Sequence, residues 1–452
     1  MSHLAEIKAL IEAEWANQTG PVQTSITQGL SPSPTLKELL PAVPSSSGQL
    51  PPGILPPEEC EPVLRRYKPP FDNTTKHDAR GDALSICFDI LIQKRLPSWA
   101  AHLISYEFVN EEDVQEKFKV ANYELSDDKE YERINAFGWC RDIIHKFNDF
   151  MAEMAHGKRQ IPESPPNFDK WPISFSANKN RKPKMEDRNC IVTTFACIEP
   201  GNDYEYKDDA FFGVFDGHNG QDVSAYLAAH FHRSFLKPCN ADKDPMQRLQ
   251  KAYEYTDKFL NLRCEKESHH GGSTAAGVLI NEHTLYLFWC GDASIGLFHN
   301  NSVLTLSRPH VPTNEKEYER VVADGGTIVN VNGELRVNGV LNITRSMGEL
   351  LGKPMISSEP EMSQREITED DYLLFLASDG VWDELSASEI KKHCGNFAHK
   401  YPADHYVHLA DYIVADCKRI GGRDNMTLII VFLKPFDEVW AHLRGFSTEH
   451  TL

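Results

Sequence analysis

The sequence predicts an α+β protein, in which a β-sandwich of two antiparallel sheets is flanked by helices and preceded by an N-terminal α-helical domain. Helical periodicity dominates up to about residue 157, and short β-rich runs separated by helical segments fill the rest. With 452 residues the chain exceeds the size at which a single core stops growing. We therefore expect one large domain and a smaller helical one.

The N-terminal region is predicted to contain a helix, a linker and a helical domain. Residues 1–19 carry a short amphipathic helix with apolar residues at helical spacing, and residues 20–60 are rich in Pro and Ser, which is typical of an extended linker. Residues 61–160 are predicted to form a helical interaction domain. Its helices are expected at residues 82–96, from residue 110 onwards and at residues 130–155.

The apolar stripe of the last predicted helix has two interpretations. Its members recur at helical spacing and comprise Ile134, Phe137, Ile144, Phe147, Met151 and Met154. The stripe is expected to form the core of a helical bundle, and an exposed partner groove is the alternative.

Residues 161–436 are predicted to be the β-rich domain, and residues 437–452 a C-terminal tail. Prolines between residues 157 and 174 mark the boundary. The predicted strands lie at 191–197, 211–215, 274–280, 285–290, 295–299, 303–306, 327–331, 372–377 and 426–433, and the predicted helices at 221–236, 245–262, 316–324, 386–393 and 406–419.

Composition excludes several classes of function. The net charge of −19 and the pI near 5.5 argue against nucleic acid or an anionic membrane as the main partner. The ten cysteines form no Cys-x-x-Cys pair, and the N-terminus lacks the apolar segment of a signal peptide. We expect a reduced, soluble, cytoplasmic protein, and the basic run at residues 179–184 leaves nuclear residence open.

Four acidic clusters predict the chemistry: Met185-Glu186-Asp187, Asp216-Gly217-His218, Ser378-Asp379-Gly380 and Arg423-Asp424-Asn425. Taken singly, each is compatible with an ordinary turn or a solvated loop. Asp216 and Asp379, however, each follow an apolar run that resembles a buried strand. Carboxylates that converge from strand ends supply the hard oxygen ligands that Mg²⁺ or Mn²⁺ ions prefer.

Eight ordered motifs resemble the PPM, or type-2C, protein serine/threonine phosphatases. They are RKPKMED (181–187), FFGVFDGHNG (211–220), GGSTA (271–275), CGDA (290–293), LRVNGVL (335–341), TRSMGE (344–349), ASDGVWD (377–383) and DNMT (424–427). The helical region and the PHVP variant at 309–312 are similar to the calmodulin-kinase phosphatase branch, and within it to the nematode sex-determination phosphatases of the Fem system.

The resemblance implies a centre with two Mg²⁺ or Mn²⁺ ions and a third, more weakly bound ion. The implied ligands are Asp216 as the bridge, the Gly217 carbonyl, Asp379 and Asp424 directly, Glu186 and Asp187 largely through water, and Asp292 and Asp383 with Asp379 at the third position. In this arrangement the two ions activate a water molecule for in-line attack on phosphorus.

Two further roles follow from the chemistry of the reaction. A serine or threonine alkoxide leaves poorly without a proton, and His218 is the predicted general acid, with a structural hydrogen-bonding role as the alternative. A cation should hold the phosphate. Where the family usually has arginine, this chain has Lys182, so the sequence leaves Lys182 and Arg181 as alternatives.

The predicted function is therefore a metal-dependent protein serine/threonine phosphatase that regulates a signalling or sex-determination pathway. The alternative is an adaptor in a ubiquitin-ligase-type complex, in which catalysis is secondary. The resemblance implies phosphoprotein substrates, among them calmodulin-dependent kinase, and Fem-system proteins as partners of the helical domain. A monomer within a larger complex is expected.

Overall fold

The computed structural model describes residues 3–16, 69, 71–125, 131–200, 206–241 and 243–446. The predicted linker at 20–60 and the last six residues of the predicted tail lie outside this part of the chain. Within it, no helix combines the length and the apolar character needed to cross a bilayer. The described cysteines are free thiols, and most of them are buried.

The N-terminal region is helical, with a small three-stranded sheet in the order β1-β3-β2. Its elements are α1 (His3–Trp15), β1 (Asn73–Thr75), α2 (Ala79–Gln93), α3 (Ser98–Asn110), α4 (Glu112–Val120), β2 (Glu124–Leu125), β3 (Glu132–Asn135) and α5 (Ala136–Ala155). The sequence analysis did not predict α3 or these three strands.

The prediction of one helix over residues 130–155 is wrong at its start. Residues Glu132–Asn135 form β3 instead, which pairs with β1 in antiparallel register. The Asn135 side chain then accepts a hydrogen bond from the Phe137 backbone N–H and caps α5. Helix α5 therefore begins at residue 136, and Ile134 lies in β3, outside the helix. Phe137 lies on the first turn of α5, and its side chain is 49% exposed.

The helical region has its own apolar core. On α5 the buried residues include Phe147, Met151 and Met154, which confirms the core interpretation for this half of the predicted stripe. Helix α1 packs on α5, where Trp15 donates a hydrogen bond from Nε1 to Asn148 Oδ1 at 3.1 Å. The predicted N-terminal helix therefore belongs to the same core as the helical domain.

The remaining chain forms the predicted sandwich. Its elements are β4 (Ile173–Asn178), β5 (Arg188–Val192), β6 (Ala210–Phe215), β7 (Gly217–His218), α6 (Asp222–Ser234), α7 (Pro245–Glu267), β8 (Gly272–Ser273), β9 (Ala275–Asn281), β10 (Thr284–Cys290), β11 (Ser294–His299), β12 (Ser302–Thr305), α8 (Glu315–Ala323), β13 (Ile328–Val331), β14 (Glu334–Val337), β15 (Met347–Gly348), β16 (Glu361–Glu366), β17 (Asp371–Ala377), α9 (Asp379–Trp382), α10 (Ala387–Lys400), α11 (Leu409–Ile420), β18 (Met426–Phe432) and α12 (Phe436–Arg444).

Two five-stranded antiparallel sheets face each other, in the orders β16-β10-β9-β6-β5 and β12-β11-β17-β18-β4. Alternate side chains of each central strand enter different cores. On β17, Leu374 and Leu376 pack between the sheets, whereas Leu373 and Phe375 pack under the outer helices. Burial on both faces explains why these strands are continuous apolar runs in the sequence. The α+β class and its two antiparallel sheets are thus confirmed.

Helices cover both outer faces of the sandwich. Helices α6 and α7 pack on the first sheet, and α10, α11 and α12 pack on the second. Helix α12 buries Val439, Trp440 and Leu443, although its residues were assigned to a C-terminal tail. Trp440 also donates a hydrogen bond from Nε1 to the Tyr401 carbonyl at 2.8 Å, which fixes α12 against the end of α10.

A buried ion network joins the helical region to the sandwich. Arg263 on α7 is 2% exposed and lies 3.3 Å from Asp78 Oδ2 and 3.6 Å from Asp82 Oδ2, both from the helical region. Its guanidinium stacks 4.0 Å from the ring centroid of Phe71. Burial opposes the charge of Arg263, but Asp82 and Asp78 outweigh burial and raise its pKa.

Replacing Arg263 is expected to destabilise the whole protein. Arg263→Met leaves Asp78 and Asp82 without their cationic partner inside the junction, which should lower the free energy of unfolding by about 3–5 kcal/mol. Urea unfolding followed by circular dichroism measures this loss. Lys258→Met on the same helix removes an exposed charge and is expected to change stability by less than about 0.5 kcal/mol. Equal effects of the two substitutions would contradict the importance of the network.

Candidate active site

Strands from both sheets deliver carboxylates to one edge of the sandwich. Asp216 follows β6 of the first sheet, and Asp379 follows β17 of the second. The carboxyl groups of Asp216 and Asp379 lie within interaction range of each other, and Asp216 lies within the same range of Asp187. Residues distant in sequence are therefore brought together, as the sequence analysis predicted for a common site.

Asp187 is held by hydroxyl groups from neighbouring strands. Its Oδ2 accepts hydrogen bonds from Ser378 Oγ at 2.9 Å and from Thr427 Oγ1 at 2.8 Å. Ser378 Oγ in turn accepts from the Thr427 backbone N–H at 3.0 Å. These contacts orient Asp187, which is 2% exposed, toward the other carboxylates.

The Asn425 side chain holds the loop that precedes β5 in place by hydrogen bonds to its backbone. Its Oδ1 accepts from the Glu186 backbone N–H at 2.6 Å, and its Nδ2 donates to the carbonyls of Lys179 and Lys184, each at 3.0 Å. Close packing with the segment after β17 is possible because residue 380 is glycine: a Cβ there would lie 2.0 Å from the Asn425 carbonyl oxygen. The role of Asn425 in positioning this loop was not predicted from the sequence, although Asn425 belongs to the Asp-Asn-Met-Thr motif.

The carboxylates raise one another's pKa values. Burial and repulsion from Asp379 raise the pKa of Asp216 well above its usual range. Burial, with repulsion from Asp383 and Asp424, raises the pKa of Asp379 to about 7. Burial followed by repulsion from Asp379 likewise raises the pKa of Asp292. In the absence of cations the site therefore favours protonated carboxyl groups.

The residues present fit divalent cations. Asp187 Oδ1 and Asp379 Oδ1 are buried and have no hydrogen-bond partner. An unpaired buried carboxylate oxygen is costly unless a cation binds it. Since every side-chain donor in the cluster is a carboxylate, the hard cations Mg²⁺ and Mn²⁺ suit it better than softer metals.

Other predicted ligands lie around this cluster. A Cβ at Gly217 would lie 2.6 Å from the Glu186 carbonyl oxygen, so these two backbone segments touch. The Glu186 carboxylate has no ion pair or hydrogen bond with any other residue that the structure describes. Asp383 directly follows α9, and partial burial together with repulsion from Glu384 raises the pKa of its carboxyl group.

The structure distinguishes the two candidate phosphate-binding cations. Lys182 Nζ lies 2.9 Å from Asp424 Oδ1. Burial opposes its charge, but Asp424, Asp216 and Asp379 outweigh burial and raise the pKa of Lys182. Arg181 is exposed and makes no ion pair with another described residue. The ammonium group of Lys182 is thus the one that reaches the carboxylates.

A small sheet brings His218 to a glutamate. Strand β8 pairs with β7, which contains His218, and with β15, which directly precedes Glu349. His218 Nε2 lies 2.9 Å from Glu349 Oε2. A Cβ at Gly272 would lie 2.6 Å from His218 Nε2, so only glycine leaves room for the ring. Glu349 ends the TRSMGE motif, but its contact with His218 was not predicted from the sequence.

His310 supports the turn that carries Asp292. The turn passes through Gly291, whose φ is +108°, and the Gly291 N–H donates to His310 Nδ1 at 3.0 Å. His310 is fully buried. Its ring therefore fixes the backbone beside Asp292.

A second group of ligand-type atoms lies within 4.8 Å of one another at His310, Glu317 and Glu361, but it does not suit a metal ion. Burial lowers the pKa of His310 to about 3, so the ring is neutral. Because Nδ1 accepts the Gly291 N–H, the ring proton is on Nε2, which cannot then bind a metal. Glu317 is already paired with Arg345, at 2.6 Å.

An αββα sandwich with clustered carboxylates at its strand ends, a lysine and a histidine–glutamate pair has the parts of a metal-dependent phosphoryl hydrolase. The comparisons identify the particular family. Residues 171–426 match the protein phosphatase 2C family, and the chain belongs to that family. It is a protein serine/threonine phosphatase, and members of the family generally use Mg²⁺ or Mn²⁺.

Similar proteins extend the likeness to the helical region. Protein phosphatase fem-2 of Caenorhabditis elegans is 31% identical over 87% of this chain and 88% of its own length. Protein phosphatase 1F of Rattus norvegicus is 33% identical over 59% of this chain and 58% of its own. The solved structure of a C. elegans sex determining protein has a TM-score of 0.71 and 29% identity, covering 82% of this chain and 91% of that one. The resemblance seen in the motifs is confirmed.

The raised pKa of Asp379 predicts how stability depends on pH. A carboxyl group whose folded pKa lies above its unfolded value contributes stability below the unfolded pKa and loses it as pH rises through the folded one. With EDTA present, we expect the protein to melt at a lower temperature at pH 8 than at pH 6. Asp379→Asn should remove most of this difference.

Differential scanning fluorimetry at both pH values measures the effect. Adding Mg²⁺ at pH 8 should raise the melting temperature of the wild-type protein more than that of Asp379→Asn, because the variant lacks a charged ligand. An identical pH dependence in the two proteins would show that Asp379 is not the group that titrates.

Proposed function

We propose that this phosphatase hydrolyses phosphoserine and phosphothreonine by attack of a water molecule activated at a two-ion centre. The proximity of Asp216 to both Asp379 and Asp187 carries this proposal, because it joins carboxylates from separate strands in one buried cluster. Asp216, Asp379 and Asp424 would hold the ions with the Gly217 carbonyl, and Asp187 and Glu186 would bind mainly through water. Asp292 and Asp383 would complete a third, weaker position.

The bound ions would supply a nucleophile at neutral pH and positive charge for the phosphoryl oxygens. The protein's own residues then decide how the substrate lies. Lys182 would bind a phosphoryl oxygen and stabilise the charge that grows in the transition state. Its ion pair with Asp424 holds the ammonium group at the cluster before substrate arrives.

His218 would donate a proton to the leaving serine or threonine oxygen. As the acid, the ring carries protons on both nitrogens. The Nε2–H would donate to Glu349, which leaves Nδ1–H to face the substrate. Glu349 therefore acts as a positioning residue: its carboxylate selects which nitrogen is available and stabilises the charged ring.

The helical region would bind protein partners. Phe137 on α5 and Ile92 on α2 are apolar and exposed, at 49% and 39%. The likeness to fem-2 spans this region, so we infer that partners of the Fem type bind here and that the enzyme regulates a developmental pathway such as sex determination. A calmodulin-dependent kinase is the substrate we would assay first, and capture of partners by the full chain but not by Phe137→Glu tests the surface.

Catalysis is expected to depend on the carboxylate cluster and on Lys182. Phosphate release from a phosphothreonine peptide should require added Mg²⁺ or Mn²⁺, and Asp216→Ala should reduce it to background. Lys182→Ala removes one charge-assisted hydrogen bond and should lower kcat/KM about 10- to 100-fold. Arg181→Ala, the matched control, should change it less than about threefold. A larger loss in Arg181→Ala than in Lys182→Ala would transfer the phosphate-binding role to Arg181.

Loss of the Glu349 carboxylate is expected to impair proton donation selectively. Glu349→Gln should lower kcat on a phosphothreonine peptide about 10- to 100-fold, since general acid catalysis is typically worth 10²–10⁴. Hydrolysis of p-nitrophenyl phosphate should fall much less, because nitrophenolate leaves without a proton. Glu349→Asp should recover part of the activity, and the exposed control Glu366→Gln should be unaffected. Equal losses on both substrates would indicate that Glu349 is only structural.

A further inference from the structure

A small pocket lies where the helical region meets the sandwich. It has a volume of about 120 Å³ and is lined by the first turns of α2, by α6 and the segment that follows it, and by the middle of α7. Three of its residues are cations: Arg80 from the helical region, and Arg233 and Lys237 from the sandwich. The pocket therefore combines positive charge from two parts of the chain.

None of these three cations forms an ion pair with a carboxylate in the part of the chain that the structure describes. Arg233 donates from Nε to the Ala229 carbonyl at 3.1 Å, a backbone contact within α6. Arg80 donates to Asn110 Oδ1 at 3.1 Å. Lys237 Nζ lies 5.9 Å from the ring centroid of Tyr255. Their partners are thus neutral, and most of their donor capacity is unused.

The nearby acids are largely committed elsewhere. Asp78 accepts hydrogen bonds from Thr75 and Tyr226 and pairs with Arg263. Glu199 is the further acid in the pocket lining, and it is partly exposed. Among the described residues, the lining thus holds three cations and two carboxylates, and one of those carboxylates, Asp78, is already bonded to other groups.

Burial and repulsion among the positive charges lower the pKa values of Arg233 and Lys237. Burial, followed by repulsion from Arg80, lowers the pKa of Arg233 to about 9. Burial and the same repulsion lower the pKa of Lys237. Like charges held together at a partly buried site are costly unless an anion neutralises them.

We propose that this pocket is a second anion site, which binds a phosphoryl dianion presented by a phosphorylated protein side chain or as free phosphate. Each guanidinium group can donate two parallel hydrogen bonds to phosphate oxygens, and the ammonium group adds a compact positive charge. The buried hydroxyls of Ser234 and Thr256 line the same pocket but bond to each other at 2.8 Å and to backbone carbonyls of their own helices, so the three cations are the donors for a ligand.

The site is distinct from the catalytic centre. Helix α6 starts just after the Asp216-Gly217-His218 segment and ends at the pocket, and its 13 residues span about 20 Å. Because Arg80 comes from α2, Arg233 from the last turn of α6 and Lys237 from the segment that follows α6, a bound dianion reduces repulsion between the helical region and the sandwich. Occupancy should therefore stabilise their contact.

Calorimetric titration of the full chain in EDTA tests the proposal, since chelation removes ions from the catalytic centre and keeps phosphopeptides intact. The titrants are inorganic phosphate, a phosphoserine peptide, the same peptide without phosphate, and vesicles containing phosphoinositide. Arg233→Gln combined with Lys237→Gln should weaken phosphate binding at least tenfold, and the exposed Arg80→Gln should weaken it measurably without affecting folding. Lys418→Gln on α11 is the charge-matched control and should have no effect.

The titrations distinguish the possible sources of the bound phosphoryl group, and some results would contradict the proposal. Tighter binding of the phosphopeptide than of inorganic phosphate would support a phosphoprotein as the source, and the reverse would support free phosphate at the same site. Absence of binding, binding lost in Lys182→Ala but kept in the pocket variants, or binding of vesicles alone would overturn the proposal. In phosphate-free buffer Arg233→Gln should melt at the same or a higher temperature than wild type, and a marked decrease would mean that Arg233 is already satisfied.

Discussion

Mutual repulsion among carboxylates at the end of the sandwich is the constraint around which this structure is organised. Asp216 lies within interaction range of both Asp379 and Asp187, although each would be better solvated alone. They stay together because their strands belong to two sheets that are packed on both faces. The energy of burying those strands thus holds together carboxylates that repel one another and whose pKa values are raised as a result.

Sequence patterns were sufficient to predict the site residues that follow the long buried strands. The runs before Asp216 and Asp379 are continuous apolar stretches because their strands are buried on both sides, and a carboxylate after such a run is visible without a structure. The contact between Glu349 and His218 was not predictable in this way. It depends on β8 pairing with two short strands, one on each side, and two-residue strands leave no periodic signal.

In the helical region, too, the sequence did not reveal contacts between segments that are distant in the chain. Apolar residues continue at helical spacing from residue 130, so the sequence predicts a helix that begins before α5 does. Pairing of β3 with β1, a partner almost 60 residues earlier, overrides that local preference. Likewise, the Pro- and Ser-rich segment suggested that the first helix stood apart, whereas Trp15 is buried against α5. Tertiary partners, which local periodicity does not encode, decided both cases.

The double-sided burial of β17 has a consequence for inherited or engineered variation in this enzyme. A side chain enlarged at Leu374 pushes against the opposite sheet, while one enlarged at Phe375 pushes against the outer helices. Either displacement shifts a strand that ends at Ala377, two residues before Asp379. Substitutions far from solvent can therefore yield proteins that fold and accumulate yet hold the clustered carboxylates in an altered position, a defect that an abundance assay would miss.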